Sequence, residues 1–214
     1  MLNWLRNRNP IIIIGAGGHA LSVVDSAEAA DLEIAGFVDE HKEGSWAGYP
    51  ILGKSIDDIE NPKAFRYHIA IGDCLDRYEW YNILRSRDLY LANIIDPTAI
   101  VSDNSDMGVG NYIGKLAVIV SGSIIGNNNI INTKALVEHG CSVWSHSNIS
   151  TNATLNGDVC VENCVLVGSG ATCNGQLTIG HNSKVGSGAV VTKNVLPNSI
   201  VVGIPARAVV TKED

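Results

Sequence analysis

The sequence predicts two dissimilar halves: a small open α/β sheet, then a parallel coil with three flat sides. Three observations carry this. An all-apolar run, Ile11 to Ile14, feeds a glycine turn, Gly15-Ala16-Gly17-Gly18. From Val101 onward an apolar residue recurs at every sixth position. The chain is 45% apolar but only 6% aromatic, with 22 glycines and 6 prolines. That composition suits thin layers of small and branched side chains with frequent tight turns, and it does not suit disorder.

The first half alternates strand and helix patterns. Residues 11–14 read as a buried strand, 20–30 as a helix and 33–39 as a second strand. Residues 56–61 read as a short helix, 67–72 as a third strand, 75–86 as a helix and 91–95 as a last strand. Alternating β and α patterns argue for a small parallel sheet of about four strands, roughly half of a full dinucleotide-binding fold. Asp96-Pro97 marks the boundary. The two domains are residues 1–97 and 98–214.

The second half steps by six through Val101, Met107, Ile113, Ile119, Ile125, Ile131, Val137, Val143, Ile149, Leu155, Val161, Val167, Cys173, Ile179, Val185 and Val191. All are apolar and the phase never slips. Gly often follows the anchor, and a small residue often sits four positions after it, as at Ala117, Ser123 and Cys141. A period of six fits neither an amphipathic helix nor a simple alternating strand. It fits a short strand and a corner, three times per 18-residue coil. Gly and Asn are expected at the corners, where positive φ costs them little. The pattern resembles the hexapeptide-repeat left-handed β-helix, seen mostly in acyltransferases, over about residues 99–195. The resemblance implies trimers with ligand sites between neighbouring subunits.

Charge narrows the function classes. Net charge is −7, and residues 1–98 carry 9 basic and 15 acidic side chains, so no nucleic-acid surface is expected. The five cysteines form no Cys-x-x-Cys and read as reduced thiols. Residues 1–10 lack the apolar stretch of a signal peptide, and residues 11–14 are too short to span a membrane. The expected location is cytoplasmic. Trp4, Leu5, Arg6 and Arg8 read as a lead-in.

Gly15-Ala16-Gly17-Gly18-His19-Ala20 matches G-x-G-x-x-A between a strand and a helix, and Asp39 follows at a strand end. Glycines let the backbone approach a phosphate, a helix N-terminus favours an anion, and the carboxylate takes a ribose or base donor. With only one mononucleotide half present, a single nucleotide such as that of a nucleotide-sugar fits better than NAD. His19 is placed near the pyrophosphate or sugar, or else caps the helix. Glu40, Gly72 and Asp73, at strand ends, are candidate wall residues. In the repeat, Glu138 and His139 interrupt the apolar pattern. A neutral imidazole in a subunit cleft is suited to accept a proton from an incoming nucleophile, and a carboxylate can steady it. Asn132 lies one repeat earlier. His139, His146 and His181 fall at different places in the repeat, so no metal site is expected.

GAGGHA, the Asp96-Pro97-Thr98 boundary, the hexapeptides, residues 132–141 (NTKALVEHGC) and residues 201–209 (VVGIPARAV) together resemble bacterial nucleotide-sugar acetyltransferases related to sialic acid O-acetyltransferases. The resemblance implies a Rossmann-like nucleotide-sugar-binding domain, a β-helix acetyltransferase domain and acetyl-CoA as co-substrate. It also implies a homotrimer and a UDP-, GDP- or dTDP-linked amino sugar as acceptor, serving surface glycan synthesis. It places Gly17, Gly18, His19, Asp39 and Asp73 in the nucleotide-sugar site and Asn132 and His139 at the catalytic position between subunits. Gly157, Ser169, Ser187, Ile204 and Pro205 fall in the coenzyme channel, with Arg207 at its phosphate. Relatives often have an acidic residue directly after the histidine, where this chain has Gly140. Nine residues after the histidine, where they often have a second one, it has Asn148, expected to donate to the thioester carbonyl. A weakened histidine dyad favours a sugar amine over a hydroxyl as acceptor. The alternatives are a sugar O-acetyltransferase and a non-catalytic nucleotide-sugar-binding module.

Overall fold

The computed structural model describes residues 9–209. The lead-in residues Trp4, Leu5, Arg6 and Arg8 lie outside them. At the centre of the first half is β1 (Ile11–Ile14), with β2 (Ile34–Val38) and β5 (Arg66–Ile69) parallel on either side. Side chains alternate across a strand. Ile11 and Ile13 therefore join the core under α1 (Gly18–Ala29), while Ile12 and Ile14 join Trp80 and Leu84 of α2 (Cys74–Ser86). A strand covered on both faces is apolar throughout, which explains the isoleucine run.

The sheet has six strands where about four were expected, in the order β3-β4-β2-β1-β5-β6. The unexpected pair is a hairpin of β3 (Ser45–Trp46) and β4 (Tyr49–Gly53), closed by Ala47-Gly48 with φ of 47° and 85°. Its turn lacks the Asn-Gly cue and Pro50 breaks the strand pattern, so the sequence hides it. The expected helix over 56–61 shrinks to a 3-10 turn, Ile56–Asp58, capped by Ser55. The expected last strand splits in two. β6 (Tyr90–Leu91) pairs with β5, whereas β7 (Ile94–Ile95) pairs with Tyr112–Ile113 of the second half. Asn93 makes the break: its amide donates to Gly108 O at 2.7 Å and its Oδ1 accepts from Asn111 N at 2.8 Å. The first strand of the coil thus precedes Asp96.

From β7 onward the chain winds as a left-handed parallel β-helix. Two-residue strands pair with the strand eighteen residues later, as in Tyr112↔Ile130, Val118↔Leu136 and Ile124↔Ser142. Three faces result. The first runs through Ile130–Ile131 and Asn148–Ile149, the second through Leu136–Val137, the third through Ser142–Val143. The first edge (132–135) joins faces one and two, the second (138–141) joins two and three, and the third (144–147) returns to one. Anchors from Ile113 to Val191 form one buried cluster, and Val101 and Met107 are half-buried at its open end.

The corners correct one expectation. Positive φ falls three residues past each anchor, at every sixth residue from Gly110 to Gly188, whatever the residue type: Leu116, Lys134, His146 and Cys164 among them. The glycines directly after anchors serve close stacking instead. A Cβ at Gly126 would lie 2.6 Å from Trp144 O, one coil on.

Two polar devices join the halves. The guanidinium of Arg77, only 1% exposed, donates to Ile71 O, Gly72 O and Asp73 O on its own side and to Asn128 O, His146 O and Ser147 O on the prism. Asp96, equally buried, accepts from Ser26 Oγ at 2.7 Å and pairs with Lys115 at 3.2 Å, while Tyr112 Oη donates to Ser22 O of α1. Burial pushes the Asp96 pKa up, but the bonds from Thr98, Ser26 and Lys115 outweigh it and hold it at about 2.

Replacing Arg77 by Met strands six carbonyls, so urea denaturation should show a loss of about 3–5 kcal/mol. A loss below about 1 kcal/mol would mean the guanidinium is dispensable. Acid should act in two windows. Burial, then nearby positive charge, lowers His19 to about 3 and His68 and His146 to about 4. Between pH 6.5 and 4 the unfolded chain therefore binds more protons than the folded one, and stability falls as pH falls. Asp96 adds a further loss between about pH 4 and 2, which Asp96→Asn removes from the low-pH limb of a Tm-versus-pH curve.

Candidate functional site

The parallel strands β1, β2 and β5 end together, and a cleft of about 320 Å³ opens at their carboxyl ends. Gly15, Asp39, Glu40, Ile71, Asp76 and Glu79 line it. Gly15 has φ of 88°, and a Cβ there would lie 2.7 Å from Ile71 Cγ1, so only glycine makes this turn against the neighbouring strand. Beyond it, Gly17 and Gly18 face open space. The α1 N-terminus has no side-chain cap and no acidic residue in its first turn, so its leading N–H groups are left for an anion. By contrast, α2 is capped: Asp73 Oδ1 accepts from Leu75 N at 2.8 Å and Asp76 N at 3.3 Å.

Asp39 shapes the turn. Its Oδ2 accepts from Ala16 N at 2.7 Å, and its Oδ1 accepts from His41 N and Lys42 N. Partial burial pushes its pKa up, but these three N–H groups and the Lys42 charge bring it below the usual value. A carboxylate has about four acceptor positions and three are used. One remains, on Oδ2, for a ligand hydroxyl or ring N–H. Lys42 also donates to Ala16 O and lies 3.3 Å from the Trp46 ring centre.

Three positions expected at this site have places of their own within the chain. Asp73 is engaged as the α2 cap. Gly72 is exposed but gives its carbonyl to Arg77 at 2.9 Å. His19 neither caps α1 nor lines the cleft; its ring meets Tyr112 edge-on at 5.0 Å, and its buried Nε2 has no partner among the described residues. The signal that places His19 inward is the apolar spacing it shares with Val23, which the glycine motif overshadowed.

On the prism, His139 occupies the exposed second edge. Its imidazole lies on Gly157 one coil on, where a Cβ would come 2.4 Å from Cε1 and 2.6 Å from Nε2. Gly157, expected in the coenzyme channel, is thus the seat of the ring. Glu138 turns its carboxylate to the His139 main-chain N–H at 3.3 Å. A second carboxylate stands at this edge, and sequence reasoning missed it. Asp158 donates its N–H to His139 O at 2.9 Å and lays Oδ1 over Gly140, 2.2 Å from where a Cβ would be. The signal was available: Asp158 stands eighteen residues beyond Gly140.

The remaining positions fall elsewhere. Asn132 stands on the first edge, its Oδ1 accepting from Thr133 N. Ser169, Ser187, Ile204 and Pro205 stack along that same edge, all exposed, and Arg207 follows, its guanidinium on Ala206 O. Asn148 lies on the first face, across the prism from His139, so it does not reach a thioester at the His139 of its own chain. His146 is buried at the third edge between Tyr78 and Tyr81, and His181 pairs with Glu162 at 3.0 Å. One chain therefore holds three separate part-sites: the cleft, the second edge with His139, and the first edge with the serines.

Replacing Gly157 by Ala should displace the His139 ring. Because residue 157 is at a half-exposed corner, Tm should change little while any His139-dependent rate falls at least tenfold. An unchanged rate would remove Gly157 from the site.

The model of the PglD N-terminal domain family matches residues 10–84. No curated protein matches by sequence comparison. Among solved structures, the acetyltransferase domain of PglB from Neisseria gonorrhoeae FA1090 is 29% identical with a TM-score of 0.91, over 94% of this chain and 100% of that one. PerB from Caulobacter crescentus, in complex with CoA and GDP-perosamine, is 30% identical with a TM-score of 0.88, over 94% and 97%. WeeI from Acinetobacter baumannii AYE is 26% identical with a TM-score of 0.86, over 94% and 99%. With a helical prism, a nucleotide-type cleft and near-full-length likeness to PerB, the chain belongs to the nucleotide-sugar acetyltransferases of the left-handed β-helix type.

Proposed function

We propose that the protein is an acetyl-CoA-dependent N-acetyltransferase acting on the 4-amino group of a nucleotide-linked amino-deoxy sugar, working as a homotrimer in surface glycan synthesis. The observation that carries this reading is the His139 ring, held on Gly157 at an exposed edge with no hydrogen-bond partner among the described residues. A neutral imidazole free of internal partners is a base waiting for a proton. The comparison with PerB, bound to CoA and GDP-perosamine, supports the choice of an amine acceptor.

The open Gly17-Gly18 turn takes the diphosphate, and Asp39 takes a nucleoside donor. Neither Asn132 nor the serine column shares an edge with His139 in one chain, so the second edge of one prism meets the first edge of its neighbour. Acetyl-CoA lies along that junction, with Ser169, Ser187, Ile204, Pro205 and Arg207 on one side and His139 on the other. The sugar amine attacks the thioester carbon, forming the C–N bond. The C–S bond then breaks, and the amine proton passes to His139 and on to the leaving thiolate. An amine with pKa near about 8 is partly neutral already and needs modest base assistance. Asp158 is the carboxylate that steadies the imidazolium, and main-chain N–H groups hold the oxyanion.

A thiol-release assay with acetyl-CoA against UDP-, GDP- and dTDP-linked 4-amino sugars should show turnover on one of them, lost at least a hundredfold in His139→Asn. Turnover only on hydroxyl acceptors would replace this reading with O-acetylation, and no turnover with any acceptor would leave a binding module. Asp158→Asn should lower kcat about tenfold with KM unchanged. If kcat stays put, Asp158 has no part in positioning.

A further inference from the structure

The contact between α2 and the third edge of the prism holds a feature that acetyl transfer does not use. Asn128, His146 and Cys164 form a column there, each one coil after the last, with φ of 56°, 66° and 57°. The helix runs alongside, one turn to each coil. Arg77 exchanges hydrogen bonds with Asn128: its Nε donates to Asn128 O, and Asn128 Nδ2 donates to Arg77 O, both at 3.1 Å. Tyr78 and Tyr81 set ring edges on His146 at 4.8 and 4.9 Å. One turn earlier in the helix is Cys74, and one coil later in the prism is Cys164. Their thiols face each other across the junction, near enough for each to shift the other's pKa. The match follows from two spacings, about 5.4 Å per helix turn and about 4.8 Å between strands.

We propose that Cys74 and Cys164 form a reversible, oxidation-made disulfide that clamps the nucleotide half to the prism. Both thiols are half-buried, whereas Cys141 and Cys173 are sealed in the prism core. Cys74 and the nearby Arg77 charge lower the Cys164 pKa despite burial, while Cys164 and burial raise that of Cys74. Cys164 is therefore the attacking thiolate. With a peroxide as oxidant, its sulfur attacks one peroxide oxygen. The O–O bond breaks, and the leaving oxygen takes a proton to give water or an alcohol. The Cys164 sulfenic acid is then attacked by Cys74 sulfur: the S–S bond forms, the S–O bond breaks, and the hydroxyl leaves as water with the Cys74 proton. Two thiols and one peroxide give one disulfide, one water and one water or alcohol. The link joins residues ninety apart and holds Asp76, Glu79 and Trp80, which line the nucleotide cleft, against the prism. Arg77 already fixes this stretch of helix beside the third edge.

The test uses the full chain treated with a small excess of hydrogen peroxide, then alkylated and digested without reductant. The expected result is a peptide pair joined through Cys74 and Cys164. With it comes a Tm rise of roughly 5–15 °C, reversed by dithiothreitol. Both effects should be absent from Cys74→Ser and Cys164→Ser and present in Cys160→Ser. Sulfinic acid at either cysteine without the joined peptide would overturn the proposal, as would a joined pair with no change in Tm, or two thiols left free.

Discussion

Everything on the prism is ordered by one constraint, the eighteen-residue coil. Each strand pairs with the strand one coil away, and every pairing between strands from Ile94 to Val191 keeps that register. A main-chain ladder is satisfied only if all three sides of every coil keep their length. The six-residue phase of the apolar anchors is the sequence trace of that requirement. Residues whose numbers differ by eighteen share an edge, whatever their chemistry. This is why the His139 ring finds Gly157 beneath it, and why Asp158 lies over Gly140. It is also why a leucine, a lysine and a cysteine adopt the left-handed backbone at corners where glycine or asparagine fits more cheaply. The local cost is met by two strand pairs that would otherwise lose their register.

The same ladder has no means of holding a second domain, and the junction is therefore polar and specific. Arg77 brings a charge inside with no carboxylate paired to it among the described residues, and six carbonyls share the charge. Three of those carbonyls belong to the loop that follows β5, beside the cleft. The guanidinium thus fixes the cleft wall and the prism edge as one body. A lysine has the charge but not the planar fork that reaches both sides. On the other face of the sheet, Ser26, Tyr112 and Asp96 do the equivalent under α1.

How much of this the sequence showed depends on the range of the interaction that decides each feature. The prism was legible because its signal is local and repeated sixteen times. The α/β half was legible where apolar runs and helix patterns are long, as in β1 and α2. It was not legible in the β3–β4 hairpin, where Pro50 and an Ala-Gly turn remove the usual cues. The fate of Asp39 was half-legible: its place at a strand end is in the pattern, but its bonds to Ala16, His41 and Lys42 depend on how the loop closes. The capping role of Asp73 was not legible because a carboxylate after a strand serves equally as a ligand or as a helix cap, and only the geometry at Leu75 N shows the cap. The packing of His19 was not legible because it depends on Tyr112, ninety-three residues away. Asp158 was missed because adjacency along the chain was sought where adjacency across coils was the relevant one.

The separation of the part-sites has a physical consequence for how such an enzyme works. His139 stands on the edge opposite the first face, while α1 packs against that face and α2 against the third edge. Under the proposed function, a chain on its own has its base and its nucleotide cleft on different sides of a rigid prism. Among the described residues the coil ladder and the Arg77 junction both resist a hinge that would close that gap. The proposal therefore needs assembly to bring base, coenzyme edge and acceptor together. An edge exposed in one chain would then become a sheltered cleft between two, where water is scarce and a neutral imidazole is a more effective base. On this reading a mutation that weakens assembly lowers the rate as surely as one at His139, without touching the fold of any single chain.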